Sequence, residues 1–361
     1  IDAILIAGLP WEIFPKDIKR LILEKVKSGV GLVWIGQDRA APEIGRVGEA
    51  KRIAKQIPSA VTPEFADVPF SLLGAEPFFA FKTDGVVHAA ADGNAWLVEQ
   101  ALGKGKVFHL AYEAIFGNLN NETGITPNLR DYYPDRVAPV EYYYSLIAKC
   151  LVKAAKVELP VSFAKADVNG ERAALTVVSA AACEATAECV VRTRFGEPIA
   201  KGRKTLSLRA GENAVELPLA ALRPYAGALA CEVVLRDGAG RVLNWGAWAF
   251  EKRPSATLAE FSAGKSAPGR TGWREGDTVP FAATVKGETA GRNVRFRVAD
   301  SYGRLLQERT MPASAKVEDK FVIANELPAR MYEVTASLME GDREIDRLRA
   351  EVRVRPDPAK W

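Results

Sequence analysis

The chain has 361 residues, of which 48% are hydrophobic and 26% are charged, and its formal net charge is +4. This length exceeds one ordinary hydrophobic core, so we expect two or three domains. No apolar run approaches the roughly 20 residues of a membrane span, and acidic residues stand among the basic ones. These features argue against a membrane span and against a dedicated nucleic-acid surface.

Strand-like and helix-like patterns alternate over residues 1–156. Ala3 to Ala7 and Leu32 to Ile35 are short apolar runs, and residues 15–27 between them have helical spacing. Apolar strands joined through a helix predict a parallel sheet covered on both faces. Further along, two glycines, Gly103 and Gly105, mark a turn in a predicted hairpin. The amphipathic segment VEYYYSLIAKCLVKAAK then closes the unit as a helix.

After Val157, strand-length segments recur between turn residues without a long helical pattern, which is typical of a β-sandwich. Two of these runs look like one unit used twice, since Phe195-Gly196 corresponds to Tyr302-Gly303 and Glu232-Val233 to Glu333-Val334. A period of about 100 residues suits tandem immunoglobulin-like sandwiches. We place them at residues 157–253 and 254–356, with 357–361 as the start of a linker to a further domain.

Two segments near the amino terminus, DAILIAGLPWEIFPKDIKRLILEKVKSGVGLVWIG and GKGKVFHLAYE, resemble a class I glutamine amidotransferase-like domain. The resemblance covers residues 1 to about 155. It implies a flavodoxin-like parallel sheet whose opening strand and helix would lie upstream of Ile1. The fold class we predict is therefore an α/β domain of this type followed by two immunoglobulin-like β-sandwiches.

The resemblance also implies a catalytic apparatus that this chain matches poorly. In active members a cysteine on a strained turn is the nucleophile, and a histidine oriented by a glutamate two residues on is the base. No cysteine precedes Cys150, and Glu113 follows His109 at four residues. An active amidotransferase-like hydrolase that uses His109 and Glu113 is kept as an alternative function.

Nucleophile-free domains of this type are similar to the trimerisation domain of certain bacterial β-galactosidases, and immunoglobulin-like sandwiches accompany them. The leading hypothesis is therefore a non-catalytic structural or interaction region of a large bacterial glycoside hydrolase-like protein. Its partners would be other domains of the parent protein or a further copy of the chain, and no cofactor is implied. Such an architecture also implies a secreted or periplasmic location.

Three tryptophans favour another alternative, a carbohydrate-binding module. Trp245 and Trp248 stand in the segment NWGAW, and Trp273 lies further along. Flat aromatic rings of this kind stack on the C–H faces of sugars, so a glycan is the implied ligand. Residues three apart in a strand point to opposite faces. We therefore expect one ring of the NWGAW pair in the sandwich core and the other near a domain junction.

Residues 120–144 form a long polar and aromatic stretch, and loops of this length are functional or form interfaces. Tyrosine is enriched at contact surfaces. We predict that this stretch contacts another domain or another subunit, and packing against the first sandwich is the alternative. The tyrosines concerned are Tyr132, Tyr133, Tyr142, Tyr143 and Tyr144.

The cysteines indicate no metal site. They show no C-x-x-C spacing and have too few histidines nearby for zinc. One interpretation is that all four are small buried hydrophobic residues. The other is a bridge between Cys189 and either Cys183 or Cys231. No pair of carboxylates stands out for glycosidic chemistry, which needs two acids across a cleft.

Overall fold

The computed structural model describes residues 1–36, 41–45, 47–73, 76–112, 125, 138–169, 172–219, 222, 224–264, 272–323 and 331–355. The chain divides into two compact units. The first unit combines a mixed-sheet region with a first β-sandwich and comprises Ile1–Tyr132, Arg136–Leu222 and Ala228–Phe250. The second unit contains a second β-sandwich, formed within Glu251–Trp361.

The mixed-sheet region has eight strands and two α-helices among its described residues. Their bounds are β1 Ala3–Ala7, α1 Lys16–Ser28, β2 Gly31–Ile35, β3 Val47–Gln56, β4 Ala60–Val61, β5 Glu76–Lys82, β6 Val86–Ala91, β7 Asn94–Leu102, β8 Gly105–Leu110 and α2 Ala138–Ala154. Six strands form one sheet in the order β1-β2-β8-β7-β6-β4, and β3 pairs with β5 in a separate two-stranded sheet.

The predicted flavodoxin-like parallel sheet is wrong. Only β1 with β2 and β2 with β8 pair in parallel, and the pairs from β8 to β4 are antiparallel. The reason lies in the connections. Asp92-Gly93 and Gly103 have positive φ angles and turn the chain in two tight hairpins, and such a short connection can join only antiparallel strands.

The core of this region lies on both sides of β2, whose five residues are all buried. Val33 and Ile35 pack in the cluster that contains α2, whereas Leu32 and Trp34 pack with Val26 of α1. The approach of α2 is so close that a Cβ atom on residue 31 would lie 2.4 Å from the backbone of Ala154. Glycine at position 31 is therefore needed for the close packing of α2, whereas Gly29 is the residue that caps α1.

The first β-sandwich is built from two antiparallel sheets, ordered β13-β10-β9 and β12-β11-β14-β15. Its strands are β9 Val161–Val168, β10 Arg172–Ser179, β11 Cys183–Arg192, β12 Pro198–Leu208, β13 Gly211–Pro218, β14 Tyr225–Asp237 and β15 Val242–Lys252. Buried residues alternate with more exposed ones along β10 and β11, as expected where one face of a sheet covers a core.

The second β-sandwich repeats this order, with sheets β20-β17-β16 and β19-β18-β21-β22. Its strands are β16 Ala256–Ala263, β17 Thr278–Gly287, β18 Arg292–Asp300, β19 Leu305–Pro312, β20 Lys316–Val322, β21 Met331–Glu340 and β22 Arg343–Arg353. Phe195-Gly196 and Tyr302-Gly303 lie in corresponding turns, after β11 and β18. The predicted β-sandwich is confirmed. The fold class as a whole is not, because the described chain consists of many small sheets with two α-helices, and not of a flavodoxin-like domain followed by immunoglobulin-like domains.

Candidate functional site

One face of α2 points toward the first sandwich. Tyr142, Ser145 and Lys149 have the spacing i, i+3 and i+7, so they share one side of the helix. Tyr143 and Leu146, on another side, are fully buried in the core of the mixed-sheet region. The helix therefore divides its side chains between a core and a junction.

Lys149 is the central charged group of this junction, with only 7% of its side chain exposed. Its Nζ lies 2.7 Å from Asp67 Oδ2 and donates to the backbone oxygen of Trp245 at 2.7 Å. The ammonium also lies 4.7 Å from the centre of the Trp245 ring, within the range of a cation–π contact. Burial lowers the pKa of Lys149 from its ordinary value, and the Asp67 carboxylate partly opposes this shift.

Three further polar contacts join the mixed-sheet region to the sandwich. Trp245 Nε1 donates to Ser145 Oγ at 2.8 Å, and Tyr142 donates its hydroxyl to Glu232 Oε1 at 3.0 Å. The backbone N–H of Ala247 donates to the Asp67 carbonyl at 2.9 Å. We call Asp67, Tyr142, Ser145, Lys149 and Trp245 the α2 junction.

A cavity of about 270 Å³ lies beside the α2 junction. Helix α2, the chain between α2 and β9, strands β9 and β15 of the sandwich, and the segment between β4 and β5 contribute its walls. Two of its lining residues are the paired Asp67 and Lys149, and a second acid and a second base, Glu64 and Lys153, also line it. The remaining walls include aromatic and hydroxyl groups, from Phe163, Trp245 and Ser162.

A second polar cluster holds the segment that carries Asp67. His88 Nδ1 lies 2.9 Å from Thr62 Oγ1, and His88 Nε2 lies 3.2 Å from Glu99 Oε2. Glu99 also pairs with Lys106 Nζ at 2.7 Å. Burial would raise the pKa of Glu99, but hydrogen bonds from Lys106 and His88 outweigh it and hold the pKa below its ordinary value.

The order hydroxyl, imidazole, carboxylate in this cluster is the order of a nucleophilic triad. The environment of His88 is better suited to a structural role than to catalysis. The His88 ring is buried and packs against Phe65 and Phe108, with ring centres at 5.0 and 5.9 Å. Thr62 also hydrogen-bonds Glu64, which helps to lower the pKa of Glu64 after the larger effect of a backbone hydrogen bond. A negative charge developing on the Thr62 oxygen would therefore face a carboxylate.

His109, the predicted base, lies on β8 and is 2% exposed. Its Nε2 lies 3.0 Å from the carbonyl oxygen of Ile44, and its ring packs against Trp34 and Phe81. This environment fixes the short segment around Ile44 to the sheet and encloses the imidazole. Glu113, its predicted partner, lies outside the described residues.

The three tryptophans with predicted sugar contacts have different surroundings. Trp245 belongs to the α2 junction and lines the cavity. Trp248 meets Phe163 edge to face, with ring centres 5.2 Å apart. Trp273 is 8% exposed, lies in the core of the second sandwich and donates its Nε1 proton to the Gly264 carbonyl.

The predicted contact tyrosines divide in a similar way. Tyr142 contacts Glu232 of the first sandwich, Tyr143 packs edge to face on Tyr112, and Tyr144 is exposed. Tyr132 and Tyr133 lie outside the described residues. The Tyr142 contact corresponds to the alternative in which the 120–144 stretch packs against the first sandwich.

All four cysteines are free thiols. Cys189 Sγ lies 3.4 Å from Cys231 Sγ, a non-covalent contact. Burial raises the pKa of Cys150, and the neighbouring Cys189 thiol together with burial raises the pKa of Cys231. In the described part of the chain, no group of three His, Cys, Asp or Glu residues is placed to hold a metal ion.

Lys149, Asp67 and His88 organise the site but were not among the residues predicted from the sequence. Lys149 interrupts the apolar pattern of α2 and shares a helix face with Tyr142, so it was in principle detectable. Asp67 contacts Lys149, which lies 82 residues further along the chain, and His88 contacts Thr62, which lies 26 residues before it. No local pattern encodes such pairs.

Neither α-helix of the described chain has the length and hydrophobicity that a membrane crossing requires.

No protein-family model matches the chain, and no curated protein matches it. Solved structures that resemble part of it include a β-glucuronidase of Bifidobacterium dentium, at 14% identity and a TM-score of 0.24 over 51% of this chain and 40% of that one. They also include a cytoplasmic protein of Salmonella typhimurium LT2, at 20% identity and a TM-score of 0.30 over 42% and 71% of the two chains. A third is a tetra-tandem repeat from the extending region of a large adhesion protein, at 18% identity and a TM-score of 0.22 over 53% and 48%.

The neighbours thus include glycoside hydrolases and adhesin repeats, and the match spans about two fifths of the glucuronidase. TM-scores this low assign neither a fold nor a function to the chain. In particular, they show no glutamine amidotransferase-like domain.

Proposed function

We propose that this chain is a non-catalytic structural and interaction region in which the α2 junction fixes the mixed-sheet region to the first β-sandwich. The observation that carries the proposal is the buried Lys149–Asp67 pair, which engages α2, the segment after β4 and strand β15 together. A buried ion pair adds little net stability over a packed apolar pair, but it is costly to separate. It therefore favours one relative arrangement of the parts it joins.

We further propose that the parent is a large bacterial carbohydrate-active protein that is secreted or periplasmic. Its other domains, or a further copy of this chain, would be the partners. The modular architecture supports this proposal. A mixed-sheet region and two sandwiches of identical strand order are suited to spacing neighbouring domains. Glycosidase assays and fractionation of cells that produce the full-length protein test this part. Recovery in the cytoplasm, or no activity on any glycoside, would contradict it.

The junction itself is tested with Lys149→Met, which leaves the Asp67 carboxylate buried without its cation. We expect the free energy of unfolding to fall by about 3–5 kcal/mol, because an unpaired buried charge is costly. Urea unfolding followed by tryptophan fluorescence measures it. Limited proteolysis should also show new cleavage near residues 157–160, between α2 and β9, before either region is digested.

Two further variants make this test specific. Lys153→Met, four residues along α2 and outside the ion pair, serves as the matched control and should change stability by less than about 1 kcal/mol. The double variant Lys149→Met/Asp67→Asn removes both charges and should recover part of the loss. If Lys149→Met and Lys153→Met unfold alike and are cleaved alike, the α2 junction does not fix the two regions and the proposal fails.

The non-catalytic part of the proposal has its own test. The purified chain should not turn over L-glutamine or a nitrophenyl ester. Turnover that disappears in His109→Gln would contradict the proposal and favour the hydrolase alternative.

A further inference from the structure

We infer that the cavity beside the α2 junction binds a single sugar ring or a neutral polyol of similar size. The inference rests on the proposed function in one respect, that the chain holds such a ligand without converting it. The cavity has about 270 Å³, which is on the order of nine water volumes. That lies just below the roughly 300–1,000 Å³ of pockets for drug-sized ligands, so the ligand is small.

The walls of the cavity are amphipathic. Trp245 and Phe163 contribute aromatic surface, and Val152 and Leu159 contribute aliphatic surface. Small-molecule sites combine such apolar walls with a few fixed polar groups that orient the ligand. A sugar ring has the complementary character, because its C–H faces are apolar and its edge carries hydroxyl groups.

The charges in the cavity balance. Lys149 and Asp67 form a pair at 2.7 Å, and Lys153 interacts electrostatically with Glu64. A bound anion would meet two carboxylates, and a bound cation would meet two ammonium groups. The walls therefore offer hydrogen bonds without a net charge, which favours a neutral ligand.

The polar groups of the wall include both acceptors and donors. The Asp67 carboxylate, whose Oδ2 accepts from Lys149, is an acceptor group among the lining residues. Ser162 and Lys153 add donors to the same cavity. A hydroxyl group donates and accepts, so a polyol matches this mixed set.

The site is also held in place before a ligand arrives. Lys149 is fixed by Asp67, by the Trp245 carbonyl and by the Trp245 ring. Gly246, the neighbour of Trp245, also packs closely on Asp67, since a Cβ on Gly246 would lie 3.0 Å from the Asp67 Cβ. Such preorganisation reduces the entropy lost when a ligand binds.

The test uses the whole chain and named probes. Saturation-transfer NMR and calorimetry are carried out with D-glucose, D-galactose, D-mannose and D-xylose, and with glycine betaine and sodium phosphate as zwitterionic and anionic probes. We expect saturable binding of at least one sugar and no binding of betaine or phosphate. If none of the four sugars binds, or if only betaine or phosphate binds, the inference is overturned.

Two variants locate the binding. Lys153→Met removes a donor, and Ser162→Tyr fills the cavity, and each should weaken sugar binding roughly tenfold or more. Lys165→Met, on the same strand as Ser162 but outside the cavity, should leave it unchanged. If Ser162→Tyr does not fold, Lys153→Met decides alone. Sugar binding that survives Lys153→Met and any folded Ser162→Tyr places the site elsewhere and overturns the inference.

The two proposals fail in different ways. A nitrophenyl glycoside that the chain hydrolyses would contradict the non-catalytic function while leaving sugar binding intact. Conversely, Lys153 and Ser162 do not take part in the Lys149–Asp67 pair, so a chain that binds no sugar can still have a rigid α2 junction.

Discussion

The two β-sandwiches share one strand order but differ in the buried polar side chain through which the last strand contacts the first strand. In the first, Asn244 on β15 donates its Nδ2 proton to the Val161 carbonyl at the start of β9, at 3.0 Å. In the second, Asp346 on β22 accepts the Leu258 backbone N–H of β16 through Oδ2 at 2.6 Å. Both side chains are buried, with 3% and 1% exposed.

The difference shows that two sandwiches of the same topology can join the last strand to the first through a side-chain donor in one case and a side-chain acceptor in the other. A backbone carbonyl requires a donor and therefore an amide, whereas a backbone N–H requires an acceptor and therefore a carboxylate. In the second sandwich the pairing of β16 with β17 is irregular between Leu258 and Glu260. The Leu258 N–H donates its hydrogen bond to the Asp346 carboxylate. Placing a carboxylate at position 244 and an amide at position 346 tests this explanation most directly.

The largest effect is expected for Asn244→Asp, which places a carboxylate against the Val161 carbonyl oxygen. We expect a loss of about 3–5 kcal/mol in the free energy of unfolding at pH 7. The variant carboxyl should have a raised pKa, because burial and the carbonyl disfavour its charged form. Since its folded pKa lies above its unfolded one, the variant should regain stability on acidification and lose it as pH rises through the folded value.

Urea unfolding of Asn244→Asp at pH 5 and pH 7 measures this effect. The wild type measured at the same two pH values is the reference. An equal loss of unfolding free energy at both pH values would show that the new carboxylate does not lie against the Val161 carbonyl. The Asn244 hydrogen bond would then not join β15 to β9 as described.

The reciprocal change, Asp346→Asn, should cost less, about 1–3 kcal/mol. The carboxylate accepts the N–H groups of Leu258 and Arg347 through its two oxygens. An amide has a single oxygen, so one N–H must face an NH₂ group. No charge is buried by the change, which is why its effect is smaller than that of Asn244→Asp. A loss as large as that of Asn244→Asp, in the same urea experiment, would contradict this ranking.

A smaller and pH-dependent effect is expected from the motif Asp-x-x-Gly-Arg, which each sandwich uses in a different hairpin. Asp237 is the last residue of β14, in the hairpin to β15, and Asp300 is the last residue of β18, in the hairpin to β19. In both, Oδ1 accepts the backbone N–H groups two and four residues on, and Oδ2 accepts the arginine Nε.

Both carboxyl groups have a lowered pKa. For Asp237 the main cause is the hydrogen bond from Arg241, and for Asp300 hydrogen bonds from Arg304 outweigh the opposing effect of burial. A lowered folded pKa stabilises the protein above the ordinary aspartate value near 3.9, and this contribution is lost as pH falls through the folded value.

We therefore expect Asp237→Asn and Asp300→Asn each to lower stability less than Asp346→Asn, with a difference from wild type that shrinks below about pH 4. Asp300→Asn should have the larger effect, because its carboxylate is fully enclosed whereas 18% of Asp237 is exposed. Urea midpoints between pH 3 and pH 7 test this. A difference that grows on acidification would show that these pKa values are not lowered.

The smallest effect is expected from modification of the cysteine thiols. Three of the four cysteines lie in the first sandwich and none lies in the second. We expect Cys183 alone to react rapidly with a thiol reagent, because Cys150, Cys189 and Cys231 are buried. Unfolding in guanidinium without reductant should reveal four thiols. Cys183→Ser should remove the rapid phase, whereas a total of two thiols would demonstrate a bridge.

Much of the local structure was predictable. The α1 helix, the buried β2 strand, the amphipathic α2 helix and the period-two strands after residue 157 all follow from side-chain periodicity. Hairpin turns follow from Gly103 and from Asp92-Gly93, whose backbone angles suit glycine and aspartate. The error arose at the next level, where a parallel start was extended to the whole sheet although the hairpins already required antiparallel pairing.

By itself, the sequence determined the periodic elements, the repeated pair of sandwich regions and the turn chemistry, because each depends on residues close together in the chain. The tertiary structure alone decided that Lys149 meets Asp67 and Trp245, that His88 meets Thr62 and Glu99, and that His109 is enclosed. It also decided that a cavity lies beside the α2 junction. These contacts join residues from different elements, and their energies depend on burial and on fixed geometry. Neither quantity exists until the elements have packed together.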